Sequence, residues 1–575
     1  MWVKLWRLLK PFHKTFAWFL GLIVLYEGVQ IVESYVISFV IQVFGKEAEF
    51  ATWALFIIVL FFCDEFFMRL DNALDWHIIS CHLYPIHKFL KMKAISKFMN
   101  LDIAWHEDHN SGALVGKVNN GTDRISEIVE GLSWEFVPTF IQALLSLIPL
   151  LIISPLAVAI SIPALGLFMW LSVESNQERQ PLREERHDLY EQDWHRSIQF
   201  VQAVETVIMF GQRKRVVGEH EALHNRIISL GLQEARIGVY EYGRWRIRIL
   251  SWARRLILII WIWQLYQGSL SIAGLVYADV LAGKLFNSVW RFARIHDRIT
   301  EASEGAERLI NLLEQESAIS DNGKVKQIPG PIGIQLINVD FTYEQGGGGG
   351  IHNLDLEIEP GQTVALVGVS GAGKTTFRKL ITRLRDIDSG TILVGGVDIR
   401  DWSHSALLSR FSFVPQGDDV YIFSDTIARN ISFGEPAASL EQIMQAAKLA
   451  GIHDFIETLP KGYNTFVGER GKRLSAGQKQ RVALARAFLD PEVCIIVLDE
   501  PTSSVDVYTE QVIQAQMEKA LKGKTVIIIA HRLSTIRNAD KIVVLHEGEK
   551  VEEGTHKKLM ALGGLYAKMV QLQAL

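Results

Sequence analysis

The stretch Thr363-Val-Ala-Leu-Val-Gly-Val-Ser-Gly-Ala-Gly-Lys-Thr-Thr376 decides the fold of the second half of the chain. Its beginning, Thr363–Val367, is a short apolar run that is typical of a buried strand. The following residues match the pattern GxxxxGK[ST], and a helix is predicted from Thr375. Backbone N–H groups in such a glycine-rich turn point inward at the start of a helix, where they bind phosphate. The sequence therefore predicts a nucleotide-binding α/β domain.

Within this loop the residues are predicted to have different roles. Lys374 is expected to reach the β- and γ-phosphates of ATP, and the hydroxyl of Thr375 is expected to bind Mg²⁺. The alternative interpretation, a purely structural glycine turn, leaves Lys374 unexplained. The other predicted phosphate-binding residues are Gly368, Ser370, Gly371, Gly373 and Thr376.

Two further apolar runs end in polar residues that are candidates for catalysis. Val493–Leu498 is followed by Asp499 and Glu500, and Thr525–Ala530 is followed by His531. Ligands bind at the carboxyl ends of the strands in open α/β sheets. We therefore expect Asp499 to hold Mg²⁺ and Glu500 to orient and deprotonate the attacking water. Taken alone, such residues usually mark only the surface end of a strand, and a single histidine is usually structural. Because of its position at the same sheet edge, we expect His531 to sense the γ-phosphate.

The first half of the chain is predicted to span a membrane. Residues 136–173 contain no charged side chain, and this is long enough for two spans with a tight turn near Ser154. Residues 256–278 are also uncharged, and the polar break at Gln267–Ser269 indicates the end of one span and the start of another. Upstream, Phe12–Phe44 and Ala51–Leu70 are apolar runs that carry acidic residues.

Six spans are the best count, so both termini are expected on the same side of the membrane. Basic residues before the first span indicate that this side is the cytosol, and their spacing with Trp2 and Trp6 suits an interfacial helix. The two long segments 71–131 and 174–246 are then predicted to be helical hairpins in the cytosol. With no transit-peptide composition, a bacterial or archaeal cytoplasmic membrane is the expected location.

Composition excludes several classes of protein. The chain has 575 residues, of which 49% are hydrophobic and 21% charged, so it is not intrinsically disordered. The formal net charge of −5 gives no sign of nucleic-acid binding. The three cysteines are far apart, which argues against a disulfide framework and against a structural zinc site.

Between the nucleotide-binding motifs lies Leu474-Ser-Ala-Gly-Gln478, followed by Lys479–Ala487. This segment resembles the LSGGQ signature of ATP-binding-cassette (ABC) ATPases, with Ala476 in place of a glycine. We expect the additional methyl group to slow turnover rather than abolish it. The order of motifs also resembles that family: Tyr343, the phosphate loop, Gln416, the signature, Asp499-Glu500, Ser504–Asp506 and His531.

The layout resembles ABC half-transporters of the exporter type. This resemblance implies a helical membrane bundle of six spans with long intracellular extensions, residues 1–316, then a linker, 317–330. An α/β P-loop ATPase domain with a helical subdomain follows, residues 331–575. Asn110–Leu114 resembles the first intracellular coupling region, and Ser197–Gly211 is expected near the second. The glycine-rich loop Gly346–Gly350 is interpreted as a surface insertion rather than a flap near the adenine.

The resemblance also implies a dimer, a homodimer or a heterodimer, with ATP and Mg²⁺ between the two copies. ATP would lie between residues 368–376 of one copy and the signature of the other, with its adenine on Tyr343. Gln416 would join Thr375 and Asp499 at the Mg²⁺. By the same resemblance, further ATP-binding residues are Ser475, Gly477, Gln478 and Asp506, and the catalytic group is Glu500, His531 and Gln416.

The transported substrate is less clear from sequence. Arg254 and Arg255 lie inside the fifth predicted span, and intramembrane charges usually face a cavity or a partner. One hypothesis is a cavity in which these arginines hold the anionic headgroup of an amphipathic or lipid-like substrate. The other pairs the arginines of the bundle with the acids of the first two spans, Glu27, Glu33, Asp64 and Glu65. An ATP-gated channel, a regulatory membrane protein and an importer are the alternative functions on this scaffold.

Overall fold

The structure, a computed structural model, describes residues 1–44, 50–109, 111–319, 321, 323–328, 330, 332–343, 349–500, 507–529 and 536–573. It divides into two compact units. The first comprises Met1–Leu101 with Asp108–Glu316, and the second comprises Asp102–Glu107 with Ser317–Leu575. The second unit thus includes a short piece of the first predicted hairpin. Residues 45–49, which lie between the first two predicted spans, are outside the described residues.

The described part of the chain up to Glu314 is mostly helical. Its helices are α1 (Trp2–Leu8), α2 (His13–Phe44), α3 (Phe50–His77), α4 (Tyr84–Met99), α5 (Ile103–Asp108), α6 (Ser111–Glu130), α7 (Val137–Ile153), α8 (Pro155–Gln202), α9 (Val204–Met209), α10 (Arg213–Ala235), α11 (Arg244–Tyr266) and α12 (Ile272–Glu314). Three π-helical segments, Ile78–Leu83, Gly131–Phe136 and Arg236–Gly243, join α3 to α4, α6 to α7 and α10 to α11.

Five helical stretches in the described part of the chain are long and apolar enough to cross a membrane. They are Lys10–Val40, Leu114–Ile153, Pro155–Gln202, Arg213–Tyr266 and Ile272–Glu314. The second predicted span, Ala51–Leu70, lies on α3, several of whose side chains are outside the described set. The long helices extend well beyond a bilayer, since α8 with 48 residues is about 72 Å long.

The predicted breaks between spans are confirmed. Ser154 has extended backbone angles, φ −146° and ψ 83°, and separates α7 from α8. Helix α11 ends at Tyr266, and α12 begins after Ser271, whose side chain accepts a hydrogen bond from the Gly274 amide at 3.0 Å. This is an N-cap, which compensates an amide that lacks a partner within the helix.

Helices α6 and α12 approach each other closely because of two glycines. A Cβ atom on Gly121 would lie 2.5 Å from Cβ of Leu309, and one on Gly305 would lie 2.8 Å from Cγ of Arg124. Small residues at such a contact are the usual means of close helix packing in membrane bundles. A larger residue at either position would push these two helices apart.

The second unit contains two sheets. The strands are β1 (Ile334–Thr342), β2 (Gly350–Ile358), β3 (Thr363–Val367), β4 (Ser389–Val394), β5 (Val397–Asp398), β6 (Phe411–Val414), β7 (Ile495–Asp499), β8 (Thr525–Ile529), β9 (Lys541–His546) and β10 (Glu549–Gly554). An antiparallel sheet has the order β2-β1-β4-β5, and a six-stranded sheet has the order β10-β9-β3-β8-β7-β6.

The six-stranded sheet positions the nucleotide motifs. Strands β3, β6, β7, β8 and β9 are parallel, so their carboxyl ends meet at one edge. Its central strands are buried on both faces, as is usual when helices cover a parallel sheet. The predicted strand Thr363–Val367 is confirmed as β3. The second predicted strand, 493–498, is shifted, because β7 covers Ile495–Asp499.

Helices complete the second unit. They are α13 (Lys374–Ile381), α14 (His404–Leu408), α15 (Ile427–Ile431), α16 (Leu440–Leu449), α17 (His453–Glu457), α18 (Ala476–Leu489), α19 (Val507–Ala520), α20 (His556–Leu562) and α21 (Leu565–Gln573). Helices α15 to α18 share one hydrophobic core with β7 and β8, to which Ile427, Ile456 and Leu484 contribute.

Candidate functional site

The phosphate loop connects β3 to α13 through glycines that other residues cannot replace easily. Gly371 and Gly373 have φ of 82° and 101°, in the left-handed region that favours glycine. A Cβ atom on Gly368 would lie 2.5 Å from the Leu545 carbonyl oxygen. Lys374 follows at the start of α13, and its Nζ donates to the carbonyl oxygens of Gly368 at 2.6 Å and Val369 at 3.0 Å.

Charged groups converge at the carboxyl ends of β3 and β7. Burial lowers the pKa of Lys374, and the nearby carboxylates of Asp499 and Glu500 oppose this shift. Burial likewise raises the pKa of Asp499, against the charges of Arg378 and Lys374. Arg378 Nη1 lies 3.8 Å from Asp499 Oδ2. The edge therefore holds buried opposite charges, which is a common property of catalytic sites.

Glu500, the first residue after β7, is held in an uncommon backbone conformation. Its φ is 45°, and its N–H donates to the Ile529 carbonyl oxygen at 2.9 Å. Gln416 Nε2 donates to Glu500 Oε2 at 2.8 Å. The structure thus brings Gln416 and Glu500, 84 residues apart in the chain, into direct contact at the sheet edge.

The signature segment begins α18. The Ser475 hydroxyl accepts from the Gln478 amide at 3.2 Å, and Gln478 Oε1 accepts from the Ser475 amide at 2.9 Å. This reciprocal capping box fixes the start of the helix. Ala476, the first residue of the helix, is exposed in this chain. The hydrogen bonds of Ser475 and Gln478 thus join these two residues to each other.

Tyr343 follows β1 and packs edge-to-face on Phe341, with ring centroids 5.0 Å apart. Its hydroxyl accepts a long hydrogen bond, 3.4 Å, from Thr376 Oγ1 in the phosphate loop. Two cations lie over its ring, Lys379 Nζ at 5.7 Å and Arg385 Cζ at 5.6 Å from the centroid. The aromatic residue predicted to contact adenine is therefore next to the phosphate loop.

Three more charged residues lie at this site, Arg378, Lys379 and Arg385, and none of them belongs to the motifs predicted from sequence. Their signal is the basic run that follows Lys374 on and after α13. The same absence from the predicted motifs holds for Glu107, which lies on α5 in the first predicted hairpin and binds Lys379 and Arg385. Asn110, which begins the segment predicted as the first coupling region, lies outside the described residues, as do Gly346–Gly348, Ser504–Asp506 and His531.

The residues at the sheet edge suit a divalent cation. Mg²⁺ prefers oxygen ligands and is usually held by one or two protein groups together with substrate phosphates. Asp499 offers a carboxylate whose burial is unfavourable without a nearby positive charge. In the described part of the chain no cluster of three or more histidine, cysteine or acidic residues could hold a metal alone. Asp499, Thr375 and Gln416 would thus hold the ion only together with the nucleotide.

Arg254 of the fifth span has a partner other than those predicted. Arg254 Nη2 lies 3.3 Å from Asp279 Oδ1 on α12, so its pairing with an acid of the first two spans is wrong. A neighbouring helix supplies a closer carboxylate. Glu65 binds Arg69 on its own helix at 2.8 Å, and buried Glu27 accepts from Gln142 Nε2 at 3.1 Å.

Comparison with known proteins agrees with this architecture. The family model for the ABC transporter matches residues 351–503, and that for the ABC transporter transmembrane region matches residues 16–238. The chain is 32% identical over 500 residues to the ATP-dependent lipid A-core flippase of Chromobacterium violaceum, covering 84% of this chain and 82% of that protein.

Other similarities cover different lengths. The chain is 42% identical over 290 residues to the lipid A-core flippase of Syntrophus aciditrophicus, which is 50% of this chain and 47% of that protein. It therefore spans about half the length of several relatives. A solved structure of a bacterial Atm1-family ABC exporter with ATP bound superposes with a TM-score of 0.88 at 28% identity, over 98% of both chains. The chain belongs to the ABC transporter family and has the half-transporter arrangement of its exporters, a transmembrane region followed by one nucleotide-binding domain.

Proposed function

We propose that this protein is an ATP-driven exporter that works as a pair of copies in a cytoplasmic membrane. The observation that carries the proposal is the hydrogen bond from Gln416 to Glu500, beside buried Lys374 and partly buried Asp499. This arrangement provides a base, a residue that orients the base, and a cation for the phosphates. Both termini and the nucleotide-binding domain are on the cytosolic side in this proposal.

The residues divide the chemistry of ATP hydrolysis between them. Glu500 is positioned to accept a proton from the attacking water, and Gln416 restricts the rotation of its carboxylate. Lys374 and the amides of the phosphate loop bind the phosphate oxygens. When bound, Mg²⁺ neutralises charge on the β- and γ-phosphates. Asp506 and His531 complete the proposed site as a nucleotide contact and a γ-phosphate sensor.

The test is Glu500→Gln, which keeps the shape of the side chain but removes the base. We expect ATP to bind while phosphate release falls by about 100-fold or more, the usual contribution of a general base. The matched control is Glu492→Gln, because the Glu492 side chain is 72% exposed near the start of β7. Phosphate release from Glu500→Gln at the wild-type rate would refute the catalytic assignment.

We further propose that the second copy supplies Ser475, Gly477 and Gln478 to each ATP. In support, these residues begin a capped helix whose first turn offers backbone amides, the groups that bind anions at helix N-termini. A second feature that supports a pair of copies is the apolar end of the second hairpin, residues 204–210. On this short segment around α9, the side chains of Val204, Met209 and Phe210 are 51%, 77% and 73% exposed. Exposed apolar patches commonly mark association surfaces.

The proposed substrate is amphipathic or lipid-like, and two relatives are named lipid A-core flippases. The anionic part of such a molecule needs cations inside the bundle. Arg255 has no ion pair among the described residues, whereas Arg254 forms an ion pair with Asp279. Arg255 is therefore the better candidate of the two for contact with substrate. Transport of labelled anionic lipid in proteoliposomes, lost in Arg255→Ala with basal ATP hydrolysis retained, would support this role.

A further inference from the structure

Two cations of the second unit bind a carboxylate and an aromatic ring at the same time. Lys379 Nζ lies 2.6 Å from Glu107 Oε1, and Arg385 Nη2 lies 2.9 Å from Glu107 Oε2. The same two groups lie 5.7 and 5.6 Å from the centre of the Tyr343 ring. Each carboxylate oxygen thus holds one of the two cations that cover the ring.

These contacts are more than surface ion pairs. The side chains of Lys379 and Arg385 are only 13% and 22% exposed, and that of Glu107 is 39% exposed. Partial burial would raise the pKa of Glu107, but the hydrogen bonds from Lys379 and Arg385 outweigh it and leave the pKa below its usual value. Glu107 is therefore ionised at neutral pH, and its hydrogen bonds are charge-assisted.

We infer that Glu107 is a positioning residue for the nucleotide base, acting through Lys379, Arg385 and Tyr343. The inference rests on the proposed role of Tyr343 in contacting adenine. Lysine and arginine side chains are flexible, and a cation–π contact requires the cation within about 6 Å of the ring. The carboxylate holds both cations at that distance. The Tyr343 hydroxyl accepts the hydrogen bond from Thr376 Oγ1. The two cations therefore restrain the face of the ring, and this hydrogen bond restrains its edge.

The position of Glu107 in the chain gives this contact a second consequence. Glu107 lies between α4 and α6, in the region matched by the transmembrane family model. If the contact of Glu107 with Lys379 and Arg385 strengthens binding of the base, then bound ATP strengthens that contact by the same factor. This follows because coupling between two binding events is reciprocal. The nucleotide base would thus restrain the intracellular segment independently of its phosphates.

The experiment measures equilibrium binding of labelled ATP to the full-length protein in lipid nanodiscs, with divalent ions removed to prevent hydrolysis. We expect Glu107→Gln to raise the Kd for ATP about five-fold, the scale of two weak cation–π contacts. Glu107→Asp, which keeps the charge, should recover part of the loss. Glu441→Gln, at an exposed glutamate on α16, is the matched control and should bind as wild type.

Two comparisons separate positioning of the base from a general structural effect. In a Tyr343→Ala background, Glu107→Gln should cause no further loss of ATP affinity. Inorganic tripolyphosphate has no base, so its own affinity, measured by displacement of labelled ATP, should be the same for wild type and Glu107→Gln. An unchanged Kd in Glu107→Gln, an equal loss without Tyr343, or a parallel loss of tripolyphosphate binding would each overturn the inference. If Tyr343→Ala alone leaves ATP binding unchanged, the proposed adenine contact itself is wrong.

Discussion

The carboxylate of Glu500 accepts a hydrogen bond from Gln416 Nε2 at 2.8 Å, and this contact determines how the group can act. The amide donor fixes the plane of the carboxylate. The strained backbone of Glu500, with φ 45°, places the side chain at this edge rather than along the strand.

This contact leads to a prediction for Gln416→Ala. We expect kcat for ATP hydrolysis to fall about 10- to 100-fold, because a base that rotates freely is seldom aligned with the water. KM for ATP should change by less than about three-fold, since the phosphate loop and Tyr343 are unchanged. Steady-state kinetics of purified protein measure both constants, and Gln335→Ala, at an exposed position on β1, is the control. A rise in KM with normal kcat would assign Gln416 to ATP binding instead.

At the scale of helices, α2 and α12 bring two charges to the same level of the bundle. Ser38 Oγ donates to the Ala273 carbonyl oxygen at 3.0 Å, which places these two residues side by side. Glu27 lies eleven residues before Ser38 on α2, and Lys284 lies eleven residues after Ala273 on α12. Because the two helices are antiparallel, Glu27 and Lys284 lie at the same level. Lys284 Nζ donates to the Gln30 carbonyl oxygen at 3.1 Å, and its charge acts on Glu27, which is 3% exposed. Each charge thus reduces the cost of burying the other.

We therefore expect Lys284→Met to lower the free energy of unfolding by about 1–3 kcal/mol, because it removes the cation that acts most strongly on buried Glu27 and leaves only Arg291. The double variant Glu27→Gln/Lys284→Met should recover most of this loss, since the uncharged amide that replaces the carboxylate could still bond to Gln142. Thermal unfolding of the three proteins in one detergent measures the effect. Equal losses in the single and double variants would show that the two charges do not interact.

The elements also show which features sequence can predict. The strand Thr363–Val367 and the breaks at Ser154 and Gln267–Ser269 follow from local patterns, namely β-branched residues, prolines, glycines and the absence of charge. Contacts between distant residues leave no such pattern. The ion pair of Glu107 with Lys379 joins positions 272 residues apart, and Arg254 binds Asp279 because their helices are adjacent in space. The π-helical segments were likewise not predicted.

For the whole molecule, the proposal requires two copies, and the apolar end of the second hairpin offers a direct test. We expect the double variant Met209→Ser/Phe210→Ser to weaken dimerisation at least ten-fold, because burying two large apolar side chains contributes about 3 kcal/mol or more. Its free energy of unfolding should change by less than about 0.5 kcal/mol, since both side chains are exposed in the single chain. Sedimentation equilibrium in detergent measures the dimer, and calorimetry measures stability.

The matched control for this test is Leu572→Ser. Leu572 is a similarly exposed apolar residue, 74% accessible, near the C-terminal end of the sequence and outside the hairpin. It should leave both dimerisation and stability as in the wild type. If the hairpin variant dimerises normally while its ATP hydrolysis no longer drives transport, the hairpin would couple the two copies without holding them together. If dimerisation, hydrolysis and transport are all unchanged, this surface has no part in the assembly.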